Sequence, residues 1–255
     1  MTEQMTHQRV VEIITAARAR GESPKLSGLD LSGLDLSHLN LRGADLSSTN
    51  LSRADLRYAN VSHANLSYAN VSHANLYRAD MTGAYLHHAN LSGAILRYAI
   101  LRYANLHRAG VAHANLTDTD LRDAILCHAN VYHSDLSGAN MSGSNLRGVD
   151  LRGVDLTDTE MCGLFADGLP SGNLAFIPTP EGWILTIGCW TGTTHTLREM
   201  IAKDTGWPEA EGEQIAVRRP MLEAMAAACD TYASVHPNAV ADVKATTDRW
   251  KKNNN

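Results

Sequence analysis

Several functional classes are missing from this chain. No stretch reaches 18 consecutive apolar residues, so no membrane-spanning helix is expected. The four cysteines, Cys127, Cys162, Cys189 and Cys229, form no CxxC pair, and no basic segment at the N-terminus leads into a secretory hydrophobic run. A reducing, cytoplasmic setting is the expectation that follows. Neither GxGxxG nor GxxxxGK[ST] occurs, which removes the usual phosphate-cradling loops. Charge is sparing as well: 19% of residues are charged and the formal net charge is -5, so neither a polybasic nucleic-acid binder nor a strongly acidic protein is indicated. At 255 residues the chain has room for one repeat region and one modest globular region.

What is present is a rhythm of five. From Leu26 to Met161 every fifth residue is Leu, Met or Val, with a small residue two places before it and Asp or Asn commonly one place before it. Neither a 3.6-residue helix nor a two-residue strand alternation has this period. If each pentad forms one short extended side and one corner, four pentads return the chain to its starting face and twenty residues make a coil. The central aliphatic and the preceding small residue then point inward, and the two residues after the centre point outward. Residues twenty apart stack in columns about 4.8 Å apart.

The units Ala54-Asp55-Leu56, Ala64-Asn65-Leu66, Ala89-Asn90-Leu91 and Ala139-Asn140-Met141 carry a signature that resembles the pentapeptide-repeat family. That resemblance implies a right-handed quadrilateral β-helix, a β-solenoid of about seven coils, over residues 24–164. The early units depart from it with Leu29, Leu34 and Leu39 in place of Ala, and the late ones with Ser144, Val149 and Val154. Larger residues at both ends suit wider terminal coils or contacts with caps. Residues 1–23 are read as a capping helix, with Val10, Ile13, Ile14 and Ala17 on one face to cover the open end of the stack.

After Met161 the rhythm stops. Residues 165–174 read as a linker, 175–240 as a small α/β or α+β domain and 241–255 as a mobile tail. Trp183 to Trp190 reads as one strand. A helix is predicted from Thr196 as N-cap with Glu199 as its capping-box partner, and a second from Pro220 with Leu222, Met225, Cys229 and Tyr232 in one stripe. Trp183, Trp190, Trp207, Met225 and Tyr232 are the candidate assembly surface, for capping the last coil or joining two chains as a homodimer. The segments WILTIGCW, GTTHT and RRPMLEAMAAAC together resemble proteins encoded by phages and prophages, which implies a host-directed or accessory role.

Outward positions define the candidate chemistry. Arg57-Tyr58, Tyr77-Arg78 and Arg97-Tyr98 follow at twenty-residue intervals, with Arg102-Tyr103 and Arg122 on the next face. Such pairs suit protein hot spots or contacts to phosphates and bases. Ile95, Ile100, Ile125, Tyr85 and Gly110 interrupt the Asp/Asn position. His87, His107 and Cys127 share one column and His88, Arg108 and His128 its neighbour. These are Zn²⁺ or Cu²⁺ ligand types, but parallel stacked side chains do not converge into a tetrahedron, so no metal or other cofactor is expected. Cys189 and His195 lie six residues apart without a third orienting group, and no catalytic residue is assigned.

The reading is therefore a non-enzymatic macromolecular interaction protein with a protein target and no membrane. It is expected to inhibit or modulate a host protein. A more specific version follows from the family resemblance, in which some members imitate DNA and act on type II topoisomerase. That version is weakened here because residues 26–160 contain 13 acidic and 10 basic residues, and the Arg-Tyr columns break any uniformly negative face. The alternatives are a structural or nucleic-acid-binding module or, further off, an enzyme in the C-terminal region; direct nucleic-acid binding stays open.

Overall fold

One pentad shows how the backbone is satisfied. In Asp55 to Ala59, Asp55 N–H donates to the Leu34 carbonyl of the preceding coil (2.9 Å) and Leu56 N–H to Asn75 of the next (2.7 Å). Arg57 N–H donates to Asp55 Oδ1 (3.0 Å). Tyr58 N–H reaches the Tyr77 carbonyl (3.0 Å), and Ala59 N–H closes a turn onto Leu56 (3.1 Å). All five donors are used, which a buried, closely stacked backbone requires. Repetition of this scheme pairs residues twenty apart in parallel, from Lys25↔Asp45 to Asp135↔Asp155. The computed structural model describes residues 5–149, 154–156, 159, 164–166, 173–179, 182–187, 190–203 and positions 219, 222, 223, 225–227, 229, 230, 233, 234, 237, 238, 240 and 241.

Four outer walls result. Wall 1 is centred on Leu26, Leu46, Leu66, Leu86, Leu106, Leu126 and Leu146, and walls 2, 3 and 4 on the centres five, ten and fifteen residues further along each coil. The central side chains and the alanines two places before them are buried in one continuous cluster. The second residue after each centre takes a left-handed backbone, φ near +60°, whether it is glycine or a residue such as Tyr58, His63 or Arg78.

That conformation overturns the expected β-helix, or solenoid of strands. Among the described residues from Lys25 to Ser144, no two consecutive residues form regular strand: each side is a single-residue bridge flanked by a two-residue turn. A pentad that spends two residues on a turn leaves three, of which one forms a bridge, too few for a run of paired residues. Regular strands begin at β1 (Asn145–Leu146), followed by β2 (Leu164–Ala166), β3 (Asn173–Thr179), β4 (Gly182–Ile187) and β5 (Trp190–Gly192), forming one sheet in the order β1-β2-β3-β4-β5. β1 pairs with β2 in parallel at the repeat's own spacing, Asn145↔Phe165. The remaining pairs are antiparallel. The C-terminal sheet thus grows out of wall 1 by backbone pairing.

Helix α1 (His7–Ala19) covers the first coil. Thr6 is its N-cap, accepting from Arg9 N–H at 3.3 Å, and Val10, Ile14 and Ala17 are buried. His7 bonds the Asp35 carbonyl (2.5 Å) and Arg18 donates to the Arg42 carbonyl. These carbonyls belong to the first coil, which has no preceding coil to donate to them.

Three C-terminal details differ from expectation. Phe165 and Ala166 of β2 and Asn173 and Leu174 of β3 lie in the stretch read as a linker, because Gly and Pro hid the strand pattern. The Trp183–Trp190 segment is split between β4 and β5, which pair at Ile187↔Trp190. Helix α2 runs Thr194–Lys203, one turn earlier than expected. Thr193 caps it: Thr196 N–H donates to Thr193 Oγ1 (3.2 Å) and Thr193 N–H to Thr196 Oγ1 (2.8 Å). Thr196 is thus the reciprocal partner rather than the cap. Further along, the described positions between Arg219 and Ser234 include helical backbone, with Leu222, Met225, Ala226 and Cys229 buried.

Candidate functional site

Wall 3 brings the predicted Arg-Tyr column together as a connected ladder. The His38 and Tyr58 rings stack at 5.0 Å, Tyr58 meets Tyr77 edge-on at 5.7 Å, and Tyr77 meets Tyr98 at 5.8 Å. Arg78 lies over both Tyr77 and Tyr98 at 5.4 Å, and Arg97 over Tyr98 at 4.6 Å. Around the corner on wall 4, Arg102 lies over Tyr103 at 5.5 Å. Stacked cations and rings hold each other in place, which lowers the entropy lost on binding.

Three of these arginines are already paired with carboxylates. Arg57 pairs with Asp55 at 2.6 Å, Arg122 with Asp120 at 2.5 Å and Arg97 with Asp118 at 3.7 Å. The hydrogen bond from Arg57 holds the Asp55 carboxyl below its ordinary range. At Asp120 burial pushes upward, but the bonds from Arg122 outweigh it and the net shift is down. These guanidinium charges are spent within the chain.

Between them lies apolar surface that the repeat normally forbids. Ile95 on wall 3 and Ile100 on wall 4 replace the usual Asp or Asn and are 43% and 40% exposed, beside Tyr98 and Tyr103. Ile125 and Tyr85 are likewise exposed, on wall 1. Interruption of the Asp/Asn column was legible in the sequence; its outward direction was not, until the pairing of Ile95 with Asn75 and Asn115 placed it in the outer register.

On wall 1 the histidine columns form a second ladder. Tyr68 and His88 stack at 5.1 Å, His88 meets His107 edge-on at 6.4 Å and His107 meets His128 at 5.8 Å. Ser67 Oγ lies 2.8 Å from His87 Nδ1. Burial, then Arg108, His128 and His88, push the His107 imidazole below its ordinary value. The rings interlock rather than converge, and among the described residues no group of three His, Cys, Asp or Glu is placed to hold a metal ion. Tyr68 and Ser67 were missed by the sequence reading; their twenty-residue offset from His88 and His87 was the available signal.

Met225 is fully buried within the single chain, which assigns it to internal packing. Trp183 and Trp190 sit on β4 and β5, but their side chains, like Trp207 and Tyr232, lie outside the described residues. Cys189 also lies outside them; His195 is exposed on α2, 3.5 Å from Glu199. No helix among the described residues is long and apolar enough to cross a membrane.

Among solved structures, HetL, a protein involved in heterocyst differentiation regulation from Nostoc sp. strain PCC 7120, is 25% identical, covering 66% of this chain and 98% of its own, with a TM-score of 0.30. Rfr23 from Cyanothece 51142 is 25% identical, covering 60% and 94%, with a TM-score of 0.31. QnrB1, a plasmid-mediated fluoroquinolone resistance protein, is 17% identical, covering 54% and 91%, with a TM-score of 0.30. At these TM-scores the superpositions carry no argument. No curated protein matches the chain. The profile of pentapeptide repeats matches overlapping segments spanning residues 25–158, more than half of the chain, and the protein belongs to the pentapeptide-repeat family.

Proposed function

We propose that this chain is a non-enzymatic interaction protein that docks a folded protein partner on walls 3 and 4. The observation that carries this reading is the cluster of Ile95, Tyr98, Ile100 and Tyr103, exposed on two adjoining walls of the middle coils. Exposed aliphatic and aromatic side chains, set among arginines of which Arg57, Arg97 and Arg122 are paired internally, favour a protein surface over a phosphate backbone. The resemblance of the C-terminal sequence to phage-encoded proteins makes a host protein the expected partner, which the chain would inhibit or modulate.

DNA mimicry of the kind that acts on topoisomerase is the weaker version. Asp55, Asp118 and Asp120 are matched by arginines, so wall 3 and wall 4 lack an unbroken negative column. A supercoiling assay with excess protein is expected to show no effect. Affinity capture from native host lysate tests the main reading: Tyr98→Ala/Tyr103→Ala should lose the captured partner, and a double variant that keeps it would refute docking on these walls.

A further inference from the structure

Sorting charge by wall exposes an asymmetry that the net charge conceals. Walls 3 and 4 carry Asp55, Asp118, Asp120 and Asp123 among their arginines, whereas wall 1 from Asn65 to Gly148 and wall 2 from Asn50 to Ser134 carry no carboxylate; of these two, wall 1 has the second arginine, with Arg108 and Arg147 against Arg53 on wall 2. On that wall His87, His88, His107 and His128 form the ring ladder just described. The groups beside it are neutral: Ser67, Tyr68 and Cys127 on the wall, Tyr85, Asn105 and Ile125 at one corner, Asn90, Gly110 and Asn130 at the other. The carboxylate at the approach from wall 4 is Asp123, two residues before Ile125.

We propose that wall 1 binds single-stranded nucleic acid along the column from Tyr68 to His128, and that binding strengthens in mild acid. Histidine gains a proton and a positive charge in mild acid, so these imidazoles add cationic charge beside Arg108. Among the described residues no carboxylate pairs with them. A phosphate chain supplies the counter-ion, and proton uptake and binding then favour each other. The cations form a line two side chains wide with rungs about 4.8 Å apart, which suits one phosphate strand lying along the stack. Tyr68, 61% exposed, offers an aromatic ring against which a base can pack.

The test is fluorescence anisotropy of a labelled oligothymidine with the full chain at low salt, at pH 7.5 and 5.5. Binding should tighten at least tenfold at the lower pH and weaken steeply with salt. His87→Gln/His88→Asn/His107→Gln/His128→Asn should lose the pH gain, Asn being chosen where the backbone is left-handed. The wall 2 control His73→Asn/His113→Asn/His133→Asn should keep it. No binding at pH 5.5, a gain retained in the wall 1 variant, or a gain lost equally in the control would overturn the proposal. Polyglutamate displacing the oligonucleotide at equal charge concentration would overturn the choice of ligand. If the quadruple variant does not fold, Arg108→Gln serves: it should weaken binding several-fold at both pH values, and unchanged affinity counts against the site.

Discussion

A single carboxyl or amide oxygen explains the Asp/Asn position of the repeat. From Asp30 to Asn145, each such residue accepts, through Oδ1, the N–H two residues on, as Asn75 does from Tyr77 (3.1 Å) and Asn105 from His107 (3.0 Å). No backbone carbonyl takes that donor, so the side chain closes the account. Asn75→Ala should lower stability by about 1 kcal/mol in denaturant melts. Ile95 cannot supply such an acceptor, and Ile95→Asn should raise stability by a similar amount while shrinking the apolar patch. Ser144 marks the opposite fault: its hydroxyl is buried without a hydrogen-bond partner among the described residues, whereas Ser134 Oγ reaches the Val131 carbonyl at 2.5 Å. Ser144→Ala should therefore stabilise by about 1 kcal/mol and Ser134→Ala should not. At Gly83, φ is +63° and an added Cβ would come within 2.8 Å of His63 Nδ1, so Gly83→Ala should cost about 1–2 kcal/mol.

At the scale of elements, α1 closes one end of the stack and the sheet extends the other. Val10 is wholly buried against the first coil. Val10→Asp would place a charge there and uncover the edge carbonyls that His7 and Arg18 now occupy; light scattering should report self-association. The sequence stripe in residues 5–20 made this cap legible because a helix with one buried face keeps its period. The C-terminal strands were harder to read. Pro178 lies within β3 paired to Trp183, and the alternation across β4 and β5 is interrupted between Ile187 and Trp190, so local pattern read one strand where long-range pairing made two.

Across the whole molecule, acid should lower stability in two ranges of pH. His107 titrates below its ordinary value in the folded chain, so its contribution is fully present above about pH 6.5 and is lost as pH falls through the lower, folded value. The carboxyls of Asp30, Asp35 and Asp45 are lowered chiefly by hydrogen bonds from Ser32, Ser37 and Ser47. Their contribution is present above about pH 4 and disappears below it as pH passes the folded values. Thermal melts from pH 8 to 3 should show both losses. His107→Gln should remove the first, and Asp30→Asn/Asp35→Asn/Asp45→Asn should flatten the second while keeping the Oδ1 acceptor. Spacing alone determined that each side of the coil buries one aliphatic residue, because an aliphatic at every fifth position keeps one side chain per pentad turned inward; the return after four pentads followed from the family resemblance and is seen in the pairing of residues twenty apart. That return determined which residues share a wall. Tertiary structure decided the rest. The left-handed turn in every pentad replaced extended strands with single bridges, since that conformation is set by stacking against the next coil and not by residue type. Which arginines are neutralised also depended on coils meeting: Arg97 and Asp118 are twenty-one residues apart in sequence and 3.7 Å apart in the fold.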